Sequence, residues 1–427
     1  MKRFLFSSIL LGFGTLSMVA QSGTRSPYSQ FGLGMLSDQS QGFNRGMSGL
    51  FQGFRSGSHV NMQNPASYSA VDSLSMIFDV GVSGQYTHFK EGGASVNAKT
   101  ANFEYVTALF RIFPKFGVSI GLVPFTNIGY SYSSTHRIGS SATTSTMTFS
   151  GEGGLRQVYL GLGYEFFKGF SLGANISYLW GSFNRNVVVT SSDAYVNTLT
   201  KSYGAEVSNY KLDIGAQYRH AFSKNDALTV GATFGLGHKL NDDSWLSVTN
   251  LDVQTAVVGI TIDSISNGLS IPMTFGGGIA YTHKSLTVGA DYQLMRWGSE
   301  SFPVANEETN KFEPVNNYFM DRHKVTVGAE WLPNRMSRRF LNRISYRVGA
   351  SYATPYYKIN KQDGPKEMTV SAGFGIPLVN SWNNRSVLNV SFQWVNLSAK
   401  NLVTENSFRV TIGLTFNERW FAKWKVD

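Results

Sequence analysis

Apolar and polar residues alternate with a period of two over much of this chain. Leu172, Ala174, Ile176, Tyr178 and Trp180 fall on one face of an extended segment, with Gly173, Asn175 and Ser177 on the other. Tyr210, Leu212, Ile214, Ala216 and Tyr218 alternate in the same way with Lys211, Asp213, Gly215, Gln217 and Arg219. A sheet buried on both faces would not carry charges at every second position. A strand with lipid on one side and a polar lumen on the other does, over about 9 to 11 residues. The same pattern runs through Leu228–Leu236, Leu286–Leu294, Val325–Trp331, Ile344–Tyr352, Leu388–Trp394 and Phe408–Phe416. It is less regular in Leu74–Gln85, Phe103–Phe113, Phe116–Tyr132, Val158–Phe166, Ile271–Tyr281 and Met368–Ile376. Together these segments predict an all-β fold, a single 14-stranded antiparallel transmembrane β-barrel over residues 74–421.

The connections carry an orientation. Short turns fall at Pro114–Lys115, Phe167–Gly169, Ser223–Asp226 and Thr282–Lys284. Long ones fall at Lys90–Lys99, Ser133–Ser150, Arg185–Glu206, Asn241–Ser266, Ser299–Asn317, Lys358–Glu367 and Ser398–Asn406. The two classes alternate, apart from a longer basic link at Pro333–Arg343. Barrels of this kind have short periplasmic turns and long external loops, which predicts both termini in the periplasm, with 422–427 as a short tail. Tyr130, Tyr132, Trp180, Phe183, Trp297, Tyr356, Tyr357, Trp420 and Trp424 lie near predicted strand ends, where aromatic rings suit the membrane interface. Aromatic residues also favour any β-strand, so the belt is an expectation joined to the loop pattern.

The N-terminus adds a route to the membrane. Met1-Lys2-Arg3 is basic, Phe4–Val19 apolar, and Ala20 small, which predicts a signal peptide over residues 1–20. No later stretch offers roughly 18 uninterrupted apolar residues, so helices are excluded as the spanning elements and a closed barrel is left. The 427 residues include 44 Gly, 31 Phe, 20 Tyr and 8 Trp, with 15% charged, more glycine and aromatic than an ordinary soluble domain carries. There is no Cys, which removes disulfides, thiol catalysis, Cys-based metal sites and a lipoprotein anchor. The net charge of +10 falls to about +8 once Lys2 and Arg3 leave with the signal, and the rest is scattered, which argues against nucleic acid as a partner.

Residues 21–73 contain no spanning strand, yet are too rich in Phe and too poor in charge for a disordered tail. They are expected to form a plug in the lumen or, alternatively, a periplasmic extension ordered against the barrel mouth. Asn64-Pro65-Ala66 before the first strand, and Gly154-Leu155-Arg156-Gln157-Val158-Tyr159-Leu160-Gly161-Leu162 leading into Leu172-Gly173-Ala174-Asn175-Ile176-Ser177-Tyr178, carry a resemblance. With fourteen strands behind an N-terminal plug, the chain resembles the FadL superfamily of outer-membrane proteins. Arg25-Ser26-Pro27-Tyr28-Ser29-Gln30-Phe31-Gly32 resembles members from Bacteroidota. The resemblance implies a barrel that passes hydrophobic small molecules past a plug and sideways through a gap in its wall. Pro124 lies inside the third strand and cannot donate to the ladder. By position it resembles the family's lateral opening, and equally it could do no more than bend the strand; Pro272 is a weaker candidate of the same kind.

The lumen gives a contrary indication. If the alternation holds, Asp79, Glu165, Lys211, Asp213, Arg219, Asp291, Glu330, Arg347 and Arg409 all point inward, which suits ion pairs with a plug better than a greasy channel. Phe31, Phe43, Phe51 and Phe54 could line a ligand pocket or simply pack the plug. The histidines, His59, His88, His136, His220, His238, His283 and His323, are dispersed. There is no H-E-x-x-H, EF-hand loop or phosphate-cradling loop, so no enzyme activity, cofactor or metal is expected. The leading expectation is a plugged uptake channel for hydrophobic small molecules with lateral exit, and the alternative is a non-transporting accessory subunit of an outer-membrane protein assembly or secretion complex. The expected partners are outer-membrane lipid together with a hydrophobic small molecule or other outer-membrane proteins.

Overall fold

A computed structural model describes residues 24–73, 75–139, 142–306, 311–378 and 386–419. The predicted signal peptide, Trp420, Trp424 and the tail at 422–427 lie outside the described residues. Fourteen strands close into an antiparallel barrel: β1 Ser75–Glu91, β2 Ala94–Phe113, β3 in two pieces (Phe116–Pro124 and Thr126–Arg137), β4 Thr144–Phe167, β5 Phe170–Ser191, β6 Thr198–Ala221 and β7 Asp226–Gly235. They continue with β8 Thr274–His283, β9 Leu286–Met295, β10 Arg322–Trp331, β11 Ser345–Ala353, β12 Lys366–Leu378, β13 Ser386–Ser398 and β14 Thr404–Arg419. Closure is made by β1, which pairs with β2 on one side and with β14 on the other, from Ser75↔Arg419 to Lys90↔Thr404. No described helix is long and apolar enough to cross a membrane. Pairing of the first and last strands removes the open sheet edge that a flat sheet would present to hydrocarbon, where an unpaired amide costs about 2–7 kcal/mol.

The alternation sorts the wall into two faces. Phe78, Val82 and Tyr86 are exposed on the outside of β1, while Asp79, Ser83 and Thr87 between them are buried inside. On β5, Leu172, Ile176 and Tyr178 face out, and Ser171, Asn175 and Ser177 are buried.

Several strands run far beyond the predicted ends. Lys90–Lys99 is not a long loop: β1 and β2 continue through it and turn at Gly92-Gly93, with φ of +52° and +94°. Most of Ser133–Ser150 and Arg185–Glu206 is likewise strand. Asn241–Ser266 folds as a hairpin, Asp242–Leu251 and Val258–Ser266, whose first arm pairs with β6 from Val207 to Thr198. In these extensions the inner face packs on the apolar cluster at the long-loop mouth, as Phe183, Ala205 and Val207 do, so the apolar-out, polar-in signature is lost. Pro272 precedes β8 and lies outside its ladder, so it interrupts no spanning strand.

Tyr130, Phe183, Trp297, Tyr356 and Tyr357 also differ from expectation. They do not form an interfacial belt but point inward and join Tyr28, Leu33 and Phe319 in an apolar cluster across the long-loop mouth. Outward rings such as Tyr178, Tyr210 and Tyr218 occupy the lipid-facing side instead.

β14 ends, and β1 begins, at the short-turn side. The start of the described chain does not. The Ser26 hydroxyl donates to Glu405 at 2.6 Å and the Tyr28 hydroxyl bonds to the Val403 carbonyl, both at the long-loop end. The first described residues therefore lie at the long-loop end, opposite the end of the barrel expected from the sequence for both termini.

Because the chain lacks cysteine, single introduced thiols test this arrangement cleanly. Arg25→Cys and Lys361→Cys are expected to react with a membrane-impermeant maleimide on intact cells. Lys115→Cys and Lys284→Cys should react only after permeabilisation; the reverse pattern would invert the orientation.

Candidate functional site in the barrel lumen

Residues 24–73 run down the inside of the barrel from the long-loop end to the short-turn end. Ser26 caps a short 3₁₀ helix, Pro27–Gln30, and the Ser29 hydroxyl accepts from the Gly129 amide at 3.0 Å. Arg185 donates to the Gly32 carbonyl at 2.6 Å, and Phe31 stacks on Tyr357 with centroids 5.4 Å apart. Lower down, the Phe51 and Gln52 amides donate to Asp291 at 2.6 and 2.9 Å, and Gln217 donates to the Gln52 carbonyl at 2.9 Å. Asn64 opens a second 3₁₀ helix, Pro65–Ala70, and its amide nitrogen donates to Gln52 O at 3.0 Å. Ala66 is fully buried, and the Tyr68 hydroxyl reaches Asn175 at 3.0 Å. Near the short-turn mouth Arg55 pairs with Glu165 at 2.7 Å, with Lys115 at 3.5 Å on the same carboxylate.

Such contacts require two backbones to lie almost on one another, and the inward positions of the wall are glycine where they do. A methyl group built on Gly231 would sit 1.8 Å from the Gln52 carbonyl oxygen, and one on Gly173 2.4 Å from the Pro65 carbonyl carbon. Any larger residue at either place forces the segment away from the wall.

One buried ion pair joins segment to wall. Arg45 donates to Glu104 at 2.8 Å, with side-chain exposures of 0% and 7%, and also holds the Ser40 and Asp38 carbonyls at 3.0 and 2.8 Å. Glu104 faces inward because the β1–β2 register slips there: Gly81 opposes Tyr105 and Val82 opposes Phe103, so Glu104 and Tyr105 both turn into the lumen. Tyr105 accepts from the Gly42 amide at 2.6 Å and donates to Asp79 at 3.2 Å. Neither Arg45 nor Glu104 stood out in the sequence, where the only signal is the broken alternation at Glu104-Tyr105. Burial alone would raise the Asp38 carboxyl; Arg45, Lys324 and the Ser40 hydroxyl more than offset it and hold the group well below the usual carboxylate range. Burial, with Arg347 and Arg335 adding to it, pushes His59 well below its usual value.

The wall breaks where Pro124 sits. The first piece of β3 pairs with β2 from Val106 to Phe113 and with β4 on the other side. After Phe125 the second piece pairs with β4 alone among the barrel strands, while Ala94–Tyr105 of β2 pairs only with β1. Gly153 and Gly154, with φ of +114° and +136°, let β4 follow the bend. From inside, Met35 and Leu36 pair with Asn127 and Thr126, and the Ser37 amide donates to Phe125 O at 3.0 Å. The lumenal segment therefore lies along the free edge that the proline creates.

The inward charges separate into distinct groups. Asp79, Glu165 and Asp291 bind as described. Arg347 joins Glu330 at 3.1 Å and Asn389 at 2.6 Å, Arg409 donates to Gln85 at 2.9 Å, and Lys211 pairs with Asp213. Arg219 stands exposed at the short-turn end of β6. A cavity of 220 Å³ remains, lined in part by Met35, Asp38, Glu104, Lys211, Lys324 and Arg409. Phe43 and Phe54 stack within the segment, centroids 5.0 Å apart, and contribute to its own packing with Met47 and Leu50. Gly117-Val118-Ser119-Ile120-Gly121 has the spacing of a hydrolase nucleophile elbow. Ser119 is nevertheless buried mid-strand on the Ala108 carbonyl and the Tyr159 hydroxyl, both at 2.9 Å.

A closed fourteen-stranded antiparallel barrel of this kind has the fold of the FadL/TodX-type outer-membrane channels. The Pseudomonas putida toluene transporter TodX aligns with TM-score 0.60 and 14% identity over 91% of this chain and 99% of its own. The Ralstonia pickettii toluene transporter TbuX gives 0.59 and 15% over 89% and 98%, and the CymD monoaromatic hydrocarbon channel 0.59 and 14% over 92% and 99%. At such identities the likeness is one of fold. The chain belongs to the BamG family, whose sequence model matches residues 1–427. No curated protein matches it.

Gly231→Val is expected to expel the lumenal segment, so that trypsin cuts at Arg45 and Arg55 while the wall keeps the heat-modifiable gel mobility of a folded barrel. Arg45→Met should cost about 3–5 kcal/mol in a denaturant titration, because it strands the buried Glu104 charge. Adding Glu104→Gln should recover most of the loss; no recovery would mean the two groups do not act as a pair.

Proposed function

We propose that this protein is a non-enzymatic outer-membrane barrel that serves as an accessory subunit of a protein-assembly complex, with residues 24–73 as a permanent plug. One observation carries the reading: the lumen is occupied along its length by a segment bonded to the wall through its own backbone. The 220 Å³ cavity between segment and wall is below the about 300–1,000 Å³ of a small-molecule site, and charged side chains such as Glu104, Lys211, Lys324 and Arg409 share its lining with apolar ones. A hydrophobic solute would have to displace Asp291, Gln217 and the Arg45–Glu104 pair together. The name of the family, BamG, and the assembly role it suggests support the same reading.

A second reading, an uptake channel for hydrophobic compounds with lateral exit beside Pro124, is favoured by the break in the wall and by the hydrocarbon substrates of the transporters that share the fold. In that reading Asn64-Pro65-Ala66 moves with the plug as a hatch.

Mild-detergent purification of the tagged protein from its own membranes separates the two. The subunit reading expects stoichiometric outer-membrane polypeptides in the eluate and no change in hydrocarbon uptake for Pro124→Val. A lone barrel, together with reduced uptake in Pro124→Val, would overturn it in favour of the channel.

A further inference from the structure

We infer that the outer edge of the strand Val258–Ser266 binds an extended segment of a separate polypeptide by strand addition. The inference deepens the accessory-subunit reading and rests on it.

The hairpin that contains this strand stands beyond the lipid-facing ring of Tyr210, eight residues along β6 from Ser202, which aligns through Ser247 with Ile262. Its inner arm is fully paired, with β6 on one side and with Val258–Ser266 on the other. In its ladder the outer arm pairs with the inner arm alone, and its Asp263 side chain reaches a neighbouring hairpin, accepting from the Phe312 amide at 2.7 Å. The phase of that ladder is fixed at its ends, where the Asp252 amide bonds to Val257 O at 3.0 Å and the Asn267 amide to Asp242 O at 2.9 Å. Counting by twos, the odd-numbered residues spend their amides on the inner arm. The amides and carbonyls of Val258, Ile260, Ile262 and Ser264 therefore point off the free edge.

The same residues present an apolar row. Val258, Ile260 and Ile262 are 51%, 62% and 68% exposed. Val258 lies opposite Leu251, whereas the cross-strand neighbours of Ile260 and Ile262, Thr249 and Ser247, then Thr200 and Ser202, are hydroxyl residues suited to water. Native edge strands are usually blunted by lysine, proline or a bulge, because a flat apolar edge recruits other chains. This edge carries none of these from Val258 to Ile262.

Charge narrows the occupant. Asp243 and Glu206 face one another across the ladder, both exposed, where like charges repel. Asp243 also opposes Ser266 at the barrel-proximal end of the edge. The fitting segment is extended, apolar at alternate positions beside Val258–Ile262, and basic where it passes Ser266. A second copy does not satisfy this edge. Copies in one membrane are related by rotation about its normal, so two outward-running strands meet in the same sense. With a tilt of about 35–45° they cross, and without tilt amide faces amide.

Ile260→Pro removes an amide that the hairpin itself does not use, and Ile262→Lys places a charge in the apolar row. The double variant, purified as full-length protein from its own membranes, should retain heat-modifiable mobility but lose a wild-type co-eluting polypeptide about tenfold or more. In the wild-type complex, hydrogen exchange at Ile260 and Ile262 should slow relative to the barrel stripped of partners. Full retention of every partner by the folded double variant, or unchanged exchange at these amides, would overturn the inference and leave the subunit reading standing. A self-dimer lost in the variant would also overturn it. A wild-type barrel that elutes alone would remove the subunit reading and this inference with it.

Discussion

Fourteen strands enclose more space than their own inward side chains can fill, and the rest of the structure depends on how that space is occupied. An empty lumen of this width would be a water channel, whereas an apolar filling would leave the polar inner face of the wall without partners. The solution is a stretch of irregular chain whose own amides and carbonyls supply the missing bonds. This demands close backbone approach, and glycines at inward positions such as Gly173 and Gly231 permit it. The high glycine content is thus a property of the contact between wall and segment as much as of the turns.

The proline break belongs to the same economy of bonds. Pro124 ends one ladder and exposes part of a strand edge inside the barrel, and Met35-Leu36 takes up the exposed bonds at Thr126 and Asn127. In a channel such an edge would be left free or covered by something readily displaced. Here it is covered by a segment pinned above by Arg185 and below by Arg45 and Asp291. The polar anchors therefore bear on function as directly as the break does.

The spanning portion of the fold was legible in the sequence because lipid imposes a period of two that nothing else in the chain imitates. The alternation through Leu172–Trp180 and Tyr210–Tyr218 located strands and sorted their faces, and Pro124 marked the break. Legibility stopped where lipid stops. The strand extensions beyond Tyr178 and Tyr210 turn apolar residues such as Phe183, Ala205 and Val207 inward, the reverse of the spanning pattern, and read as loops. Inward Trp297, Tyr356 and Tyr357 were indistinguishable from interfacial rings, since both occupy strand ends. Asp79 and Asp291 could be placed on the inner face, but their partners come from a segment with no periodicity. Arg45 and Glu104 escaped because a single-residue register slip leaves only a faint trace in the pattern.

The course of the segment also constrains how the molecule is made. Its first described residues sit at one mouth and Ser73 at the other, so it passes through the ring that β1 and β14 close. Drawing a folded stretch of some fifty residues through a finished cylinder would mean breaking every anchor at once. The segment precedes every strand of the wall in the chain, and the ring is joined by its last strand. With the segment first in the chain and the seam made by the last strand, closing that seam over a segment already seated is the route that breaks none of its anchors.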